Sequence, residues 1–403
     1  MDTITHGIVG ALIGKAFFAE DLPRNAPSWR EAPRTAARVA ILSATIGAIF
    51  PDIDVLAGPL AHNALAMITW HRNITHSLVM LPIWAVALAV LTNFLAQKLL
   101  RWPVPAFSSL VLVYAVSLGS HIFLDLITSF GTMIWSPLDY TRPSWDWVFV
   151  IDLMVTSAAL VPQLAAWVFR RPEGAARRAF ACWGTLSAVA FGLGPLVRLA
   201  GVPYTASTPV LPVALFGALL ILPLRRDAGV HLGRTNWSRV GIAFLGTYLT
   251  FAGAMHSLAL SRVQEFATES RISAENIAAL PQPPSAANWV GMIATRTGTY
   301  RIEFGVFGDE PVKIQYFTAP PDNSAIAAAR SLRDVQTFLW FARFPVFRYL
   351  ERDGQHVVQI SDLSFYGPGR QGTPGSATPL NFTFQVVFKP DGSLVSDGLL
   401  LRP

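Results

Sequence analysis

His121 and Asp125 stand one helical turn apart in Gly119-Ser120-His121-Ile122-Phe123-Leu124-Asp125, inside a run that is otherwise apolar. An ionisable side chain at the centre of a membrane helix costs ~2.5 to 3.5 kcal/mol on insertion scales, so such a pair faces a partner or a polar cavity. The i, i+4 spacing also lets one helix offer an imidazole and a carboxylate to the same cation. Taken alone, the two residues read equally as a hydrogen-bonded pair that glues two helices.

Three further motifs place the same residue types nearby in the sequence. Phe50-Pro51-Asp52-Ile53-Asp54 ends an apolar segment with two carboxylates, and the proline stops the helix so that the chain can fold around a cation. Trp70-His71-Arg72-Asn73-Ile74-Thr75-His76-Ser77 sets two histidines and an arginine just before another apolar run, with Thr75 as the expected N-cap of that helix. His6 opens the first apolar segment. Together His6, Asp52, Asp54, His71, His76, His121 and Asp125 offer nitrogen and oxygen donors without sulfur, enough for one or two divalent ions. Imidazole with carboxylate suits Zn²⁺, and Mn²⁺ or Fe²⁺ fit the same set.

Such ions can activate water and polarise a phosphoryl or carbonyl oxygen. Asp54 and Arg72 are the catalytic candidates. Asp54 either holds metal or acts as a base on water, and Arg72 either clamps a phosphate bidentately or pairs with Asp52 or Asp54. No Gly-x-Ser-x-Gly elbow, P-loop or His-Glu-x-x-His motif offers a competing chemistry. Cys182 is the single cysteine, which excludes an intrachain disulfide and a thiolate zinc site.

The elements that must position these residues are membrane helices. The chain has 403 residues, 52% of them hydrophobic and 14% charged, with a mean hydropathy of +0.42. That composition excludes an ordinary soluble domain and fits a multi-pass protein in contact with a lipid bilayer. Spans are expected at about 76–97, 106–128, 147–169, 179–199, 207–224 and 238–261. The shorter segments 3–18 and 36–50 read as helices packed inside the bundle. In the first, Gly7 with Ala11 and Gly10 with Gly14 show the small-xxx-small spacing of closely approaching helices. No basic n-region precedes this segment and Lys15 interrupts it, so a cleaved signal peptide is not expected.

If all eight segments cross, one side collects Lys15, Arg24, Lys98, Arg170, Arg177 and Arg225 among others, and the opposite side only Arg72, Arg142 and Arg198 before the tail. The positive-inside rule makes the first side cytoplasmic and puts the histidine and aspartate motifs, with the tail, on the outer face. The net charge of +6 follows from these loops and does not imply nucleic-acid binding. Trp135, Trp145 and Trp147 read as an interfacial aromatic belt.

Beyond about residue 262 the pattern changes. A Pro-rich linker (Leu280-Pro281-Gln282-Pro283-Pro284) precedes strand-like runs at 298–304, 357–360 and 382–388, and a helical pattern at 322–342 opens with Asp322-Asn323-Ser324. The expected fold is mainly α, a polytopic helical membrane bundle with a C-terminal small soluble α+β domain. Its expected divisions are a metal-site helical region over 1–140, additional transmembrane helices over 141–262 and the soluble domain over 263–403.

The series Thr5-His6-Gly7, Pro51-Asp52-Ile53-Asp54, His71-Arg72-x-x-Thr75-His76-Ser77 and Gly119-Ser120-His121-x-x-x-Asp125-x-x-Thr128-Ser129-x-Gly131 resembles the YdjM-like family of bacterial inner-membrane proteins. These are predicted metal-dependent hydrolases, grouped by resemblance with zinc-dependent phospholipase C enzymes. Four motifs in order, over about residues 1–140, carry the resemblance. It implies a hydrolase of the bacterial inner membrane whose helices carry the metal ligands and whose substrate is a phosphoester such as a phospholipid. A non-catalytic metal-binding or transport protein is the rival. A transporter needs ionisable residues near mid-depth in several later helices, whereas here they crowd at one end of the first ones.

Overall fold

Small residues decide how the first helices meet. The computed structural model describes residues 1–18, 36–56, 65–192, 194–195, 209–283, 285–307, 313–320, 323–366 and 382–400. α1 (Thr3–Phe17) lies along α2 (Ala36–Ile49). A Cβ added at Gly10 would stand 2.5 Å from both the Ala44 carbonyl oxygen and the Ala48 Cβ, and one at Gly14 would stand 2.9 Å from the Ile41 Cα. Only glycine permits this backbone separation, so the small-xxx-small spacing of Gly10 and Gly14 marks the contact itself. Gly7 meets only the flexible end of Ile49.

Further helices enclose this pair. α3 (Leu81–Phe94) packs on α4 (Phe107–Leu126) through Ala85, Leu88, Ala89, Leu110, Tyr114 and Leu118. α4 meets α2 where Gly47 faces Tyr114 and Ser117. α5 (Leu153–Val168) crosses α1, and Lys15 Nζ donates to Gln163 Oε1 at 2.7 Å while Gln163 Nε2 donates to the Ile8 carbonyl at 3.0 Å. Such polar pairs between apolar helices replace the hydrophobic drive that lipid cannot supply. α6 (Ala175–Gly192) and α7 (Val210–Ile221) share an apolar core with Phe169 and Trp237, the latter on α8 (Arg234–Glu269).

The segments Ala36–Leu56, Leu81–Leu99, Phe107–Leu126 and Arg234–Glu269 are long and apolar enough to cross a membrane, and Thr3–Phe17, Leu153–Val168 and Val213–Arg225 are shorter apolar helices. Ile83, Val86, Val90, Leu91 and Phe94 of α3 point outward, as lipid-facing side chains do. Segment boundaries depart from the sequence reading, and the expected 238–261 span is the longer helix Arg234–Glu269. The 36–50 helix continues as a 3-10 helix to Leu56, giving 21 residues. The 76–97 span begins at Leu81. The 147–169 span begins at Leu153, because Asp152 caps α5 by accepting from the amides of Met154 and Val155. Much of the expected 179–199 span beyond α6 lies outside the described residues, as do Arg24 and Arg198 of the charge count and Pro284 and Asp322.

The chain divides into two compact units. One comprises Met1–Ile53, Arg72–Ser144 and Val150–Phe251, and the other Asp54–His71, Trp145–Phe149 and Ala252–Pro403. The second unit holds two antiparallel four-stranded meanders. The first sheet is β1 (Asn276–Gln282), β2 (Asn288–Thr295), β3 (Gly298–Gly305) and β4 (Lys313–Thr318), in that order. The second is β5 (Pro345–Arg352), β6 (Gln355–Asp362), β7 (Thr383–Phe388) and β8 (Leu394–Leu399). Strand alternation serves two cores at once. Trp289 and Ile293 of β2 pack on Ala259 and Val263 of α8, while Val290 and Met292 face Phe344, Leu363 and Tyr366.

The C-terminal region is therefore richer in strands than the expected small α+β domain. The start of the Pro-rich linker, residues 280–282, ends β1, an edge strand in which Pro281 pairs with Trp289 and its missing N–H is tolerated. The helical pattern at 322–342 is two helices, α9 (Ser324–Ser331) and α10 (Arg333–Phe341), broken by extended backbone at Leu332. Asn323 caps α9, as its position suggested. Within this unit Arg343 donates to both Asp146 oxygens at 2.8 and 2.9 Å. Burial pulls the guanidinium pKa down, but the Asp146 carboxylate more than offsets this and holds it above its ordinary value.

The α1–α2 contact generates a direct expectation. Gly10→Ala forces the two backbones apart and costs about 1–3 kcal/mol, seen as a lower midpoint of thermal unfolding in detergent. Gly246→Ala on α8, where no atom lies within 4 Å of an added Cβ, leaves the midpoint unchanged or raises it.

Candidate metal centre

Each motif reaches the centre by a different local device. Asp2 caps α1 by accepting from the Thr5 amide at 2.9 Å, which places His6 in the first turns of the helix. Pro51 turns α2 into the 3-10 helix Phe50–Leu56, and Thr3 Oγ1 donates to Asp52 Oδ2 at 2.6 Å. His76 ends a 3-10 turn, Ile74–His76, that precedes α3. The capping role expected of Thr75 belongs to Ser77, whose Oγ accepts from the amides of Val79 and Met80. Thr75 Oγ1 instead lies 3.1 Å from His76 Nδ1. His121 and Asp125 lie on one face of α4, and both are fully buried.

These devices bring Asp52, His76, His121 and Asp125 together, with one ligand atom of each within 4.8 Å of all the others. His76 Nε2 and His121 Nε2 are 3.0 Å apart. Asp125 Oδ2 lies 3.2 Å from the first and 3.4 Å from the second, and Asp52 Oδ1 lies 3.6 and 3.5 Å from them. His6 stands beside the group, with its ring stacked on His121 at 3.6 Å and its Nε2 3.2 Å from Asp125 Oδ1. The α-amino group of Met1 also donates to Asp125 Oδ1.

The donor chemistry fits a cation. His121 Nδ1 is 2.6 Å from the Ala48 carbonyl, which can only accept, so Nδ1 carries the proton and Nε2 presents a lone pair to the centre. Asp125 Oδ2 is buried and has no hydrogen-bond donor. Four donors around a tetrahedral ion at about 2.0–2.1 Å would stand roughly 3.3 Å apart, which is the scale of the separations found. The group could hold a metal ion.

The remaining candidates sort differently. His71 Nδ1 and Asp54 Oδ1 pair with each other at 2.9 Å in the second unit, and neither belongs to the four-residue group. Arg72 reaches Asp125, with Nη2 2.8 Å from Oδ1. Of the expected belt, Trp135 and Trp145 are exposed. Sequence reasoning assigned no role to Asp2, Thr3 or the Ala48 carbonyl, and none has a distinctive residue type or spacing. Thr128 was within reach, because it lies three residues beyond Asp125 and its Oγ1 donates to the Asp125 carbonyl at 2.8 Å.

Apolar helices that carry a buried histidine and aspartate centre on the start of α1 and the ends of α2 and α4 define a multi-pass membrane protein with a candidate metal site. Residues 1–196, which contain every motif of the centre, match the family model described as YdjM inner membrane protein. No curated protein and no solved structure matches the chain.

Metal content separates the two groups of candidates. Detergent-purified protein with His121→Ala or Asp125→Ala is expected to take up less of an added divalent ion than the parent by elemental analysis, whereas His71→Ala is expected to take up as much.

Proposed function

We propose that the chain is a membrane-bound metal-dependent hydrolase that cleaves a phosphoester, such as that of a phospholipid, in a bacterial inner membrane. The observation that supports this most is the convergence of two imidazole nitrogens and two carboxylates, all but Asp52 fully buried, on one point. Two carboxylates and neutral imidazoles suit Zn²⁺, with Mn²⁺ or Fe²⁺ as alternatives. With a divalent ion held there, the centre would have the chemistry to activate water near neutral pH and to polarise a phosphoryl oxygen.

The residues then have separable tasks. Asp52, His76, His121 and Asp125 hold the ion, and His6 is placed beside Asp125 as a further donor. The Ala48 carbonyl fixes the His121 tautomer, and Thr3 orients Asp52 by donating to its second oxygen. Lys15 lies near the end of α1 remote from His6, and Arg38 near the end of α2 remote from Asp52. By the positive-inside rule these ends are cytoplasmic and the centre opens toward the periplasm.

The test uses the full chain in mild detergent, loaded with Zn²⁺ or Mn²⁺, against a phosphodiester and phospholipid panel. The expected result is turnover that chelator abolishes and metal restores, and that falls by about 100-fold or more in Asp125→Ala. Bound metal without turnover on any substrate would show a non-catalytic metal-binding or transport role. Absence of bound metal at neutral pH, even with added Zn²⁺ or Mn²⁺, would remove the proposal altogether.

A further inference from the structure

Among the described residues of the first unit, Arg72 is the largest buried charged side chain, with 2% of its surface exposed. Its backbone is left-handed, with φ of 59°, an uncommon conformation for a residue with a long side chain. The Met133 amide donates to its carbonyl at 2.9 Å, which holds the turn against the loop that follows α4. From this turn Nη2 reaches Asp125 Oδ1 at 2.8 Å, while Nη1 donates to the Asp125 carbonyl at 3.2 Å and to Thr128 Oγ1 at 2.9 Å. The Phe130 ring lies against the guanidinium, 4.9 Å from its carbon to the ring centroid.

We propose that Arg72 is a positioning residue of the metal centre rather than a clamp for the substrate's phosphate, an inference that rests on reading the centre as a metal site. A carboxylate has two oxygens, and Arg72 anchors one so that the other is presented. Oδ1 takes Arg72 together with Met1 and His6, while Oδ2 is left without a hydrogen bond beside the Nε2 atoms of His76 and His121. The planar fork serves this task because it grips side chain, backbone carbonyl and Thr128 at once, which a lysine ammonium cannot reproduce. The same arrangement commits Nη1 and Nη2 to Asp125 and Thr128 and lays the guanidinium against Phe130.

Two variants test this, read first by Zn²⁺ affinity against a chromogenic chelator, which needs no turnover. Arg72→Lys keeps the charge and loses the fork, and the expected loss of affinity is about 10–100-fold. Thr128→Val keeps the guanidinium and removes one of its anchors, giving a smaller loss in the same direction and carrying the test if Arg72→Lys does not fold. At saturating Zn²⁺, KM for a phosphodiester stays within about twofold of the parent in both. Unchanged Zn²⁺ affinity in the variants that fold, or a KM that rises at saturating Zn²⁺, would overturn the positioning role. A parent protein that binds no Zn²⁺ would instead overturn the metal reading beneath it.

Discussion

Two imidazole nitrogens held 3.0 Å apart between two carboxylates, with His76, His121 and Asp125 out of contact with solvent, form an arrangement that is stable only if charge is balanced within it. Water cannot screen these groups in an apolar bundle, so every compensating contact must come from the chain or from a bound cation. The surrounding structure follows from that demand. Arg72 answers the charge of Asp125, Thr3 answers one oxygen of Asp52, and the Ala48 carbonyl takes the one proton that His121 must keep on its outer nitrogen. None of these partners stands on the same helix as the group it serves, and so the centre is a joint among helices.

That joint works only if the backbones come close. Ala48 can reach His121 because α2 runs tightly between α1 and α4, with glycines at 10 and 14 on one side and at 47 on the other. The loop side is fixed as firmly. The amides of Leu78 and Met133 donate to the carbonyls of Ile134 and Arg72, and Ser77 donates to the Ser136 carbonyl, so the histidine turn and the loop after α4 are one body. His76 thus moves with His121 and Asp125, although 45 residues separate the two histidines.

Much of this centre is legible in the amino-acid sequence because ionisable groups in apolar segments are costly, and five of the seven candidates, His6, Asp52, His76, His121 and Asp125, do lie together. The other two could not be sorted by spacing. Asp52 and Asp54 fall on a 3-10 helix, where positions two apart point about 240° apart, so Asp52 faces inward while Asp54 pairs with His71. His71 and His76 are parted by the left-handed turn at Arg72, a backbone state that an arginine does not announce. Composition showed the apolar helices, although not where they end. It hid β1 behind prolines and merged two short helices, since Leu332 breaks them without glycine or proline.

The split of the centre between the α1–α2 pair and the body formed by α4 and its loop bears on how the protein is made. His6 and Asp52 leave the ribosome well before His121 and Asp125, so half of the centre enters the membrane while its partners are still unsynthesised. The group of two histidines and two aspartates is therefore complete only once α4 is in place.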